Sequence, residues 1–182
     1  MESYYNVLAE IGQSSRLADA KLVLDDKTEY QIHRVILSLH SKFFNMLFKH
    51  EEGKNIYTIK DVTKRAMDQI ISWCYTGKMC LTEANIEEVL RWGHYLDCPE
   101  VVREGCNFLM ADIGPENAVG FWTVSQAYQI KELEDLVVAF MMKNLESISK
   151  GDEYLELSPD ELTMLLQMEW RHNEKALFLP LV

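Results

Sequence analysis

The residues that could do chemistry begin with an acid, a potential base and a cation near the N-terminus. Asp19 precedes one short apolar run, and His33 and Arg34 follow the next. Group transfer would also need a nucleophile beside the base, and no serine, cysteine or lysine stands in a recognisable catalytic motif. The glycines form no phosphate-binding loop. The sequence therefore predicts neither a catalytic residue nor a bound cofactor.

Four cysteines could bind a metal or form disulfides. They contain no C-x-x-C pair, and no histidine completes a zinc-binding spacing. Each lies inside or beside a predicted helix, which favours buried, reduced thiols of an intracellular protein over disulfides or a metal site. We therefore expect no metal ion at these residues, which are Cys74, Cys80, Cys98 and Cys106.

Charge and hydropathy narrow the classes of partner. The 182 residues carry a formal net charge of −11, which disfavours nucleic acids and anionic membranes because both require a basic surface. No apolar run reaches the roughly 20 residues needed to cross a bilayer, and the N-terminus lacks the regions of a secretory signal. We expect a protein of the cytoplasm, with the nucleus as the alternative, that contacts neither membrane nor nucleic acid.

The longest apolar pattern lies between His33 and Phe48, which we predict to form one helix. Six residues recur there at steps of three and four and would share one face. They are Val35, Ile36, Leu39, Phe43, Met46 and Leu47. A face this apolar must become either a core or a binding seam.

Strands and a first helix surround this segment. Ala20 to Leu24 and Glu29 to His33 are predicted strands joined by a polar turn, and Ile56 to Ile59 alternates as a third strand. Tyr4 to Ile11 is a predicted amphipathic helix. That helix either packs on its own domain or joins two copies of the chain.

Three later helices have recognisable ends. Thr63 is a predicted N-cap, and Gly77 lies where a helix end favours a positive φ. Thr82 is the predicted N-cap of the next helix, and Pro99 suits the first position of the one after it.

The second part of the chain is predicted to be all-helical. Gly114-Pro115 is the only Gly-Pro pair and marks the expected boundary between residues 1–113 and residues 114–182. Ser158-Pro159-Asp160-Glu161 is a capping box with proline at the first helical position. The remainder is predicted to form short helical hairpins with no strand signal.

Three separate pieces of the first part resemble the signature of the BTB/POZ domain. They are Asp19 to Leu24, His33 to Ser38, and Ser41 to Phe44. In that family the pieces correspond to a D-x-x-L/V strand, an A-H-R-x-x-L-A helix and an S-x-x-F turn. The resemblance implies an α+β fold, a small mixed sheet flanked by helices, in which Asp19 and His33 are structural and lie close together.

The second part resembles the start of the BACK domain, whose opening segment in kelch-like proteins is called the 3-box. Its motifs begin at Glu116, at Ala127 and at Leu155, in the order that the BACK domain has them. The resemblance implies helical hairpins of a truncated BACK domain at residues 114–182. The apolar stretch from Phe178 to Val182 does not continue the pattern, which leaves an artificial end, a divergent splice end or a docking peptide.

The combined resemblance implies a protein-interaction module. Kelch-like proteins of this architecture are substrate adaptors of cullin-3 ubiquitin ligases: the BTB domain forms a homodimer and binds the cullin-3 N-terminal domain, and the 3-box binds the cullin's extreme N-terminal peptide. The implied dimer contacts are Tyr4, Tyr5, Val7, Leu8 and Ile11. The implied cullin contacts in the BTB part are Phe43, Phe44, Met46, Leu47, His50, Glu51, Glu52 and Tyr95. The implied contacts in the 3-box groove are Phe121, Trp122, Val124, Tyr128 and Leu133.

Departures from the family leave alternatives open. The loop after the His33 segment is shorter than in the family, and its hydrophobic-x-Glu motif aligns with His50 and Glu52. For each implied contact, packing within the domain is the alternative, and it is favoured for Phe43 and Leu47.

A BTB-type transcriptional regulator that recruits co-repressors is a second possible function, although no zinc-finger spacing or basic stripe accompanies it. A truncated competitor of cullin-3 adaptors is a third.

Overall fold

The computed structural model of the chain describes residues 2–14 and 17–167. The chain divides into two compact units, Met1–Phe108 and Leu109–Val182. This division falls within a helix that ends at Ala111, a few residues before Gly114-Pro115. The assignment of residues 1–113 and 114–182 to separate domains stays a prediction.

The first unit contains a three-stranded mixed sheet. β1 (Ala20–Leu24) lies in the middle, antiparallel to β2 (Glu29–Ile32) and parallel to β3 (Ile56–Ile59). Every second side chain of β1 is buried, as the two-residue period of a strand requires. All three predicted strands are confirmed, with β2 ending one residue before His33.

Helices account for most of the rest of this unit. Within the described residues their bounds are α1 (Glu2–Gln13), α2 (Arg34–His40), α3 (Lys42–His50), α4 (Lys64–Thr76), α5 (Ile86–Tyr95) and α6 (Pro99–Ala111). The hydroxyl of Thr63 caps α4 by accepting the Ala66 N–H, and Gly77 ends it with φ +64°. Both predicted ends of α4 are therefore confirmed, as is Pro99 at the start of α6.

The predicted single helix from His33 to Phe48 is wrong, because the chain breaks at Ser41. Ser41 has extended backbone angles (φ −135°, ψ 121°) and separates α2 from α3. Its hydroxyl accepts the Phe44 N–H at 3.0 Å and donates to the Leu96 carbonyl at 2.6 Å. Ser41 thus caps α3 and ties it to the end of α5, two interactions that a continuous helix could not make.

The break also overturns the predicted apolar face. Three of its residues are largely exposed: Val35 at 77%, Leu39 at 65% and Met46 at 62%. The buried residues of α2 and α3 are Ile36, which belongs to the predicted face, and Leu37, Phe44 and Phe48, which do not. Two short helices that meet at an extended residue present different faces to the core, so one helical period cannot describe both.

The helix predicted to start after Thr82 begins later, at Ile86. Its N-cap is Asn85, whose side-chain oxygen accepts the Thr82 N–H at 2.8 Å and whose amide donates to the Cys80 carbonyl at 2.9 Å. The asparagine thus closes a turn over the residues that were expected to form the first helical turn.

Aromatic side chains dominate the core of the first unit. Phe44 stacks on Phe48 with ring centroids 5.7 Å apart, and Phe48 meets Tyr57 edge-on at 4.9 Å. The prediction of buried thiols is confirmed for Cys74, Cys98 and Cys106, whereas Cys80 is exposed. Burial raises the pKa of the Cys98 thiol to about 12, so this group is neutral at physiological pH.

The described part of the second unit is helical throughout its regular structure. Its helices are α7 (Ala118–Ala127), α8 (Lys131–Ile148), α9 (Asp152–Leu155) and a further helix at residues 159–167. The capping box is confirmed by both reciprocal bonds: the Ser158 N–H donates to the Glu161 carboxylate at 2.9 Å, and the Glu161 N–H donates to the Ser158 hydroxyl at 3.3 Å.

None of the helices within residues 2–14 and 17–167 combines the length and apolar character that crossing a lipid bilayer requires.

Candidate functional site

Apolar side chains of α3 and α5 form the main candidate surface. Phe43 and Leu47 are half-buried and pack against the core, which was the favoured alternative for both. Phe43 and Tyr95 are in contact, with ring centroids 5.8 Å apart. Met46 and Leu47 follow Phe43 by three and four residues, so they emerge on the same side of α3. Met46 is 62% exposed and Tyr95 is 61% exposed. We call these four residues the α3–α5 surface.

The α3–α5 surface rests on residues that the sequence did not single out as partners. Trp92 is buried and supports Tyr95 edge-on at 5.4 Å, and the Arg91 guanidinium lies 5.0 Å from the Trp92 ring centroid. The large buried indole therefore fixes an exposed tyrosine in place. In the sequence, the only indication of this contact is that Trp92 lies three residues before Tyr95, so both share one face of the helix.

Phe44 does not belong to this surface, which corrects its predicted role as a cullin contact. Its side chain is 0% exposed and packs between Phe43 and Phe48 in the core. Contact with a partner would require the core to open, at a cost comparable with the stability of the domain.

The loop after α3 presents the predicted His50–Glu52 segment to solvent. His50 is the last residue of α3 and is exposed, as is Glu52. Glu51 is half-buried and pairs with Lys54 at 3.0 Å. His50 and Glu52 are therefore accessible to a partner, while Glu51 already has a partner within the loop.

The predicted dimer contacts of α1 differ in how far they are buried in their own chain. Leu8 is buried in the core of its own chain, and Tyr5 and Ile11 pack against that core. A Cβ added to Gly77 would lie 2.7 Å from the Tyr5 ring, which shows how closely α1 packs on the end of α4. Val7 is 53% exposed, and the side chain of Tyr4 lies outside the described residues. Leu8 is therefore corrected from an interface residue to a core residue.

Two exposed aliphatic residues escaped the sequence-based prediction of an interface. Val35 and Leu39, which are four residues apart on α2, share one face of that helix. The two residues add to the exposed apolar surface of this unit, and a large contiguous surface of that kind marks a protein–protein contact. The sequence analysis placed both residues on one apolar face, as either a core or a binding seam, but did not name them among the contacts.

The predicted groove of the second unit is partly its core. Trp122 and Leu133 are 0% exposed and cannot contact a partner, which corrects their assignment. Phe121, Val124 and Tyr128 are half-buried and keep some accessible surface. Burial of Trp122 and Leu133 follows from the packing of α7 against α8, which a helix-by-helix reading of the sequence does not contain.

Asp19, His33 and Arg34 form hydrogen bonds that join elements of the first unit. Asp19 accepts the Arg34 N–H at 2.8 Å and the Arg34 Nε–H at 3.0 Å, which joins the start of β1 to the start of α2. The His33 N–H donates to the Tyr75 hydroxyl at 3.0 Å, and His33 Nδ1 lies 2.8 Å from the same oxygen. The described residues contain no group of three His, Cys, Asp or Glu placed to hold a metal ion.

Arg34 determines the ionisation of Asp19. Partial burial alone would raise the pKa of Asp19, but the hydrogen bonds from Arg34 and its positive charge outweigh burial and hold the pKa below 3.8. The carboxylate is therefore more stable in the folded chain than in the unfolded chain.

Asp19→Asn should lower the free energy of unfolding at neutral pH by less than about 1 kcal/mol, because the pair is partly exposed and screened. The contribution of a carboxylate with a depressed folded-state pKa is present above the unfolded-state pKa and is lost as the pH falls through the folded-state value. The difference between parent and variant should thus be constant above about pH 5 and shrink below about pH 4. Urea denaturation across this range measures it, and a difference independent of pH would exclude a role for the charge.

Comparison with known proteins defines the class. The family model described as "BTB/POZ domain" matches residues 8–113, and the model described as "BTB And C-terminal Kelch", or BACK, matches residues 118–180. The BTB domain of human gigaxonin has a similar fold, with a TM-score of 0.54 and 21% identity over 59% of this chain and 89% of that one. The chain belongs to the BTB/POZ family, and the predicted α+β fold is confirmed.

Its curated relatives specify the subgroup. Human Kelch-like protein 3 is 26% identical over 173 residues, which is 93% of this chain and 29% of the relative. Mouse Kelch-like protein 30 is 27% identical over 154 residues, or 83% of this chain and 26% of the relative. The chain is thus a BTB–BACK protein of the kelch-like adaptor type, and it spans less than a third of the length of these relatives.

Proposed function

We propose that this chain is a homodimeric adaptor that binds the N-terminal domain of cullin-3 and thereby scaffolds a ubiquitin ligase. The observation that carries the proposal is the α3–α5 surface, in which two large apolar side chains, Met46 and Tyr95, are more than 60% exposed beside Phe43. Interfaces concentrate their binding energy in such clusters of aromatic and methionine side chains.

The geometry suits recognition of a partner helix. Met46 offers a flexible side chain, whereas Tyr95 is held by contacts with Phe43 and Trp92 and needs little ordering when it binds. His50 and Glu52 lie at the end of α3 and supply polar groups at the rim. Apolar burial would provide most of the affinity, and the rim would set the register.

The proposed homodimer uses exposed residues of α1 and α2. Val7, Val35 and Leu39 are each more than half exposed. Complete burial of an aliphatic side chain of this size contributes roughly 1.5–3 kcal/mol to association. Tyr5 and Ile11 keep part of their surface accessible and would border this contact.

The second unit would bind the extreme N-terminal peptide of the cullin. The contacts would be Phe121 and Val124 of α7 and Tyr128 at the C-terminal end of that helix. These side chains are half-buried, so each keeps a surface on which an apolar peptide side chain could pack. An adaptor of this kind would act in the cytoplasm, with the nucleus as the alternative site.

Calorimetric titration of this chain with the cullin-3 N-terminal domain tests the proposal. Binding that weakens when the cullin's extreme N-terminal peptide is removed is expected, because both units then contribute contacts. Equal affinity with and without the peptide would remove the role of the second unit. An absence of binding heat for both forms of the cullin would contradict the adaptor function.

A further inference from the structure

A cavity of about 430 Å³ lies beside the free edge of the sheet, on residues that the proposed function does not use. It is bounded by Ala9 and Gly12 of α1, by Glu29 and Gln31 of β2, and by Ile71 and Tyr75 of α4. The volume falls in the range of roughly 300–1,000 Å³ that is typical of ligand sites. All three elements belong to the first unit.

The backbone of β2 directs hydrogen-bonding groups into this space. The Leu24 N–H donates to the Thr28 carbonyl at 2.9 Å, and the register of the strand pair places Leu22 opposite Tyr30. In an antiparallel pair the bonded positions alternate, so Thr28 and Tyr30 face β1, whereas Glu29 and Gln31 point their N–H and C=O groups away from it. Because β2 is the edge strand, these groups lie on the open side of the sheet.

His33, two residues after Gln31, already forms a hydrogen bond on this edge. The His33 N–H points the same way as those of Glu29 and Gln31, and it donates to the Tyr75 hydroxyl at 3.0 Å. Tyr75 therefore closes one end of the groove. Glu29 and Gln31 offer two N–H donors and two C=O acceptors at the spacing of a β-ladder.

The side chains around this edge select a charge. Glu29 is the one ionised side chain among the residues that line the groove, and more than half of its side-chain surface is exposed although Lys21 pairs with it at 2.7 Å. Ala9 and Gly12 leave room on the α1 side, and Ile71 and Tyr75 give an apolar floor. A groove with these features favours an extended main chain that carries a cationic side chain.

We propose that this groove binds an extended, basic segment of a partner protein, which joins β2 as a fourth strand and places a lysine or arginine against Glu29. The proposal goes beyond the cullin function, because the groove shares no residue with the α3–α5 surface or with the second unit. Exposed sheet edges are the templates on which peptides add as strands.

Nuclear magnetic resonance of the ¹⁵N-labelled full chain tests this proposal with a defined probe, the acetylated and amidated peptide Val-Lys-Val-Lys-Val. The amide signals of Glu29 and Gln31 are expected to shift on titration and to exchange their protons more slowly with solvent. The same peptide with glutamate in place of lysine should bind at least about fivefold more weakly at low salt. A version N-methylated at every residue keeps the side chains but has no N–H donor on either edge and cannot form the ladder, so it should not bind.

Two matched variants locate the site. Ala9→Arg fills the groove with a long cationic side chain and should weaken probe binding by about tenfold or more. Asn6→Arg adds the same charge at an exposed position of the same helix that does not line the groove, and it should leave binding within about twofold of the parent.

Other outcomes overturn the proposal. Equal binding of the N-methylated probe, or an Ala9→Arg variant that binds like the parent, would exclude strand addition in this groove. Slow exchange of the Glu29 and Gln31 amides that depends on protein concentration without any probe would identify a second copy of the chain as the occupant. A tighter complex with the glutamate peptide would contradict the assigned charge.

Discussion

Phe44→Ala should lower the free energy of unfolding of the first unit by about 3–5 kcal/mol. The ring is 0% exposed, stacks on Phe48 at 5.7 Å and meets Phe43 at 5.5 Å, so truncation removes apolar contacts and leaves a cavity among rigid neighbours. Since domains of this kind are stabilised by about 5–15 kcal/mol in total, the loss is a large part of the whole. Urea denaturation followed by far-ultraviolet circular dichroism measures it.

Met46→Ala is the matched control for this experiment. It removes a side chain of similar length from the same helix, two residues further on, at a position that is 62% exposed. Exposed substitutions of this kind change stability by no more than about 0.5 kcal/mol. If both variants lost the same stability, the assignment of Phe44 to the core and of Met46 to the surface would be wrong.

This pair of residues shows where sequence reasoning reached its limit. Phe44 and Met46 both entered the predicted contact set, because a resemblance to a motif does not determine the direction of each side chain. Direction depends on the break at Ser41, whose hydroxyl caps α3 locally and also donates to the distant carbonyl of Leu96. The two residues are 55 positions apart, and no local pattern records such a contact.

Most local signals were reliable, with the predicted N-cap at Thr82 as an exception. Gly77 adopts a positive φ, Thr63 caps α4, and Ser158 and Glu161 exchange both capping bonds, as their neighbours in the sequence indicate. Each of these features depends on atoms within four residues. The sheet was predictable for the same reason, since alternation of burial along β1 is a property of the strand alone.

The surfaces were predictable only as regions. Resemblance to the BTB family pointed to α1, α3 and α5, but the tertiary packing decides which side chains of each helix remain accessible. Leu8 is 8% exposed and Val7 is 53% exposed, although adjacent residues of one amphipathic helix were assigned the same role. Successive residues of a helix point about 100° apart. When one of two neighbours packs in the core, the other therefore faces away from it.

Met46→Asp and Val35→Asp should separate the two proposed interactions. Both replace an exposed aliphatic side chain by a charge, so neither should destabilise the folded chain strongly. Met46→Asp places a carboxylate in the centre of the α3–α5 surface, where a partner would bury it without a counter-charge. The affinity for the cullin-3 N-terminal domain is expected to fall by about 2 kcal/mol or more, roughly thirtyfold in Kd, because central apolar contacts carry most of the binding energy.

Val35→Asp should instead disrupt the homodimer. In a twofold symmetric interface each substitution occurs twice, so two carboxylates would be desolvated and the loss would count for both copies. Light scattering should give twice the mass of one chain for the parent and for Met46→Asp, and the mass of a single chain for Val35→Asp. Calorimetry should show that Val35→Asp still binds the cullin domain, one molecule per chain. A dimeric Val35→Asp chain would remove α2 from the proposed interface, and a Met46→Asp chain that binds the cullin domain as tightly as the parent would remove the α3–α5 surface from the cullin contact.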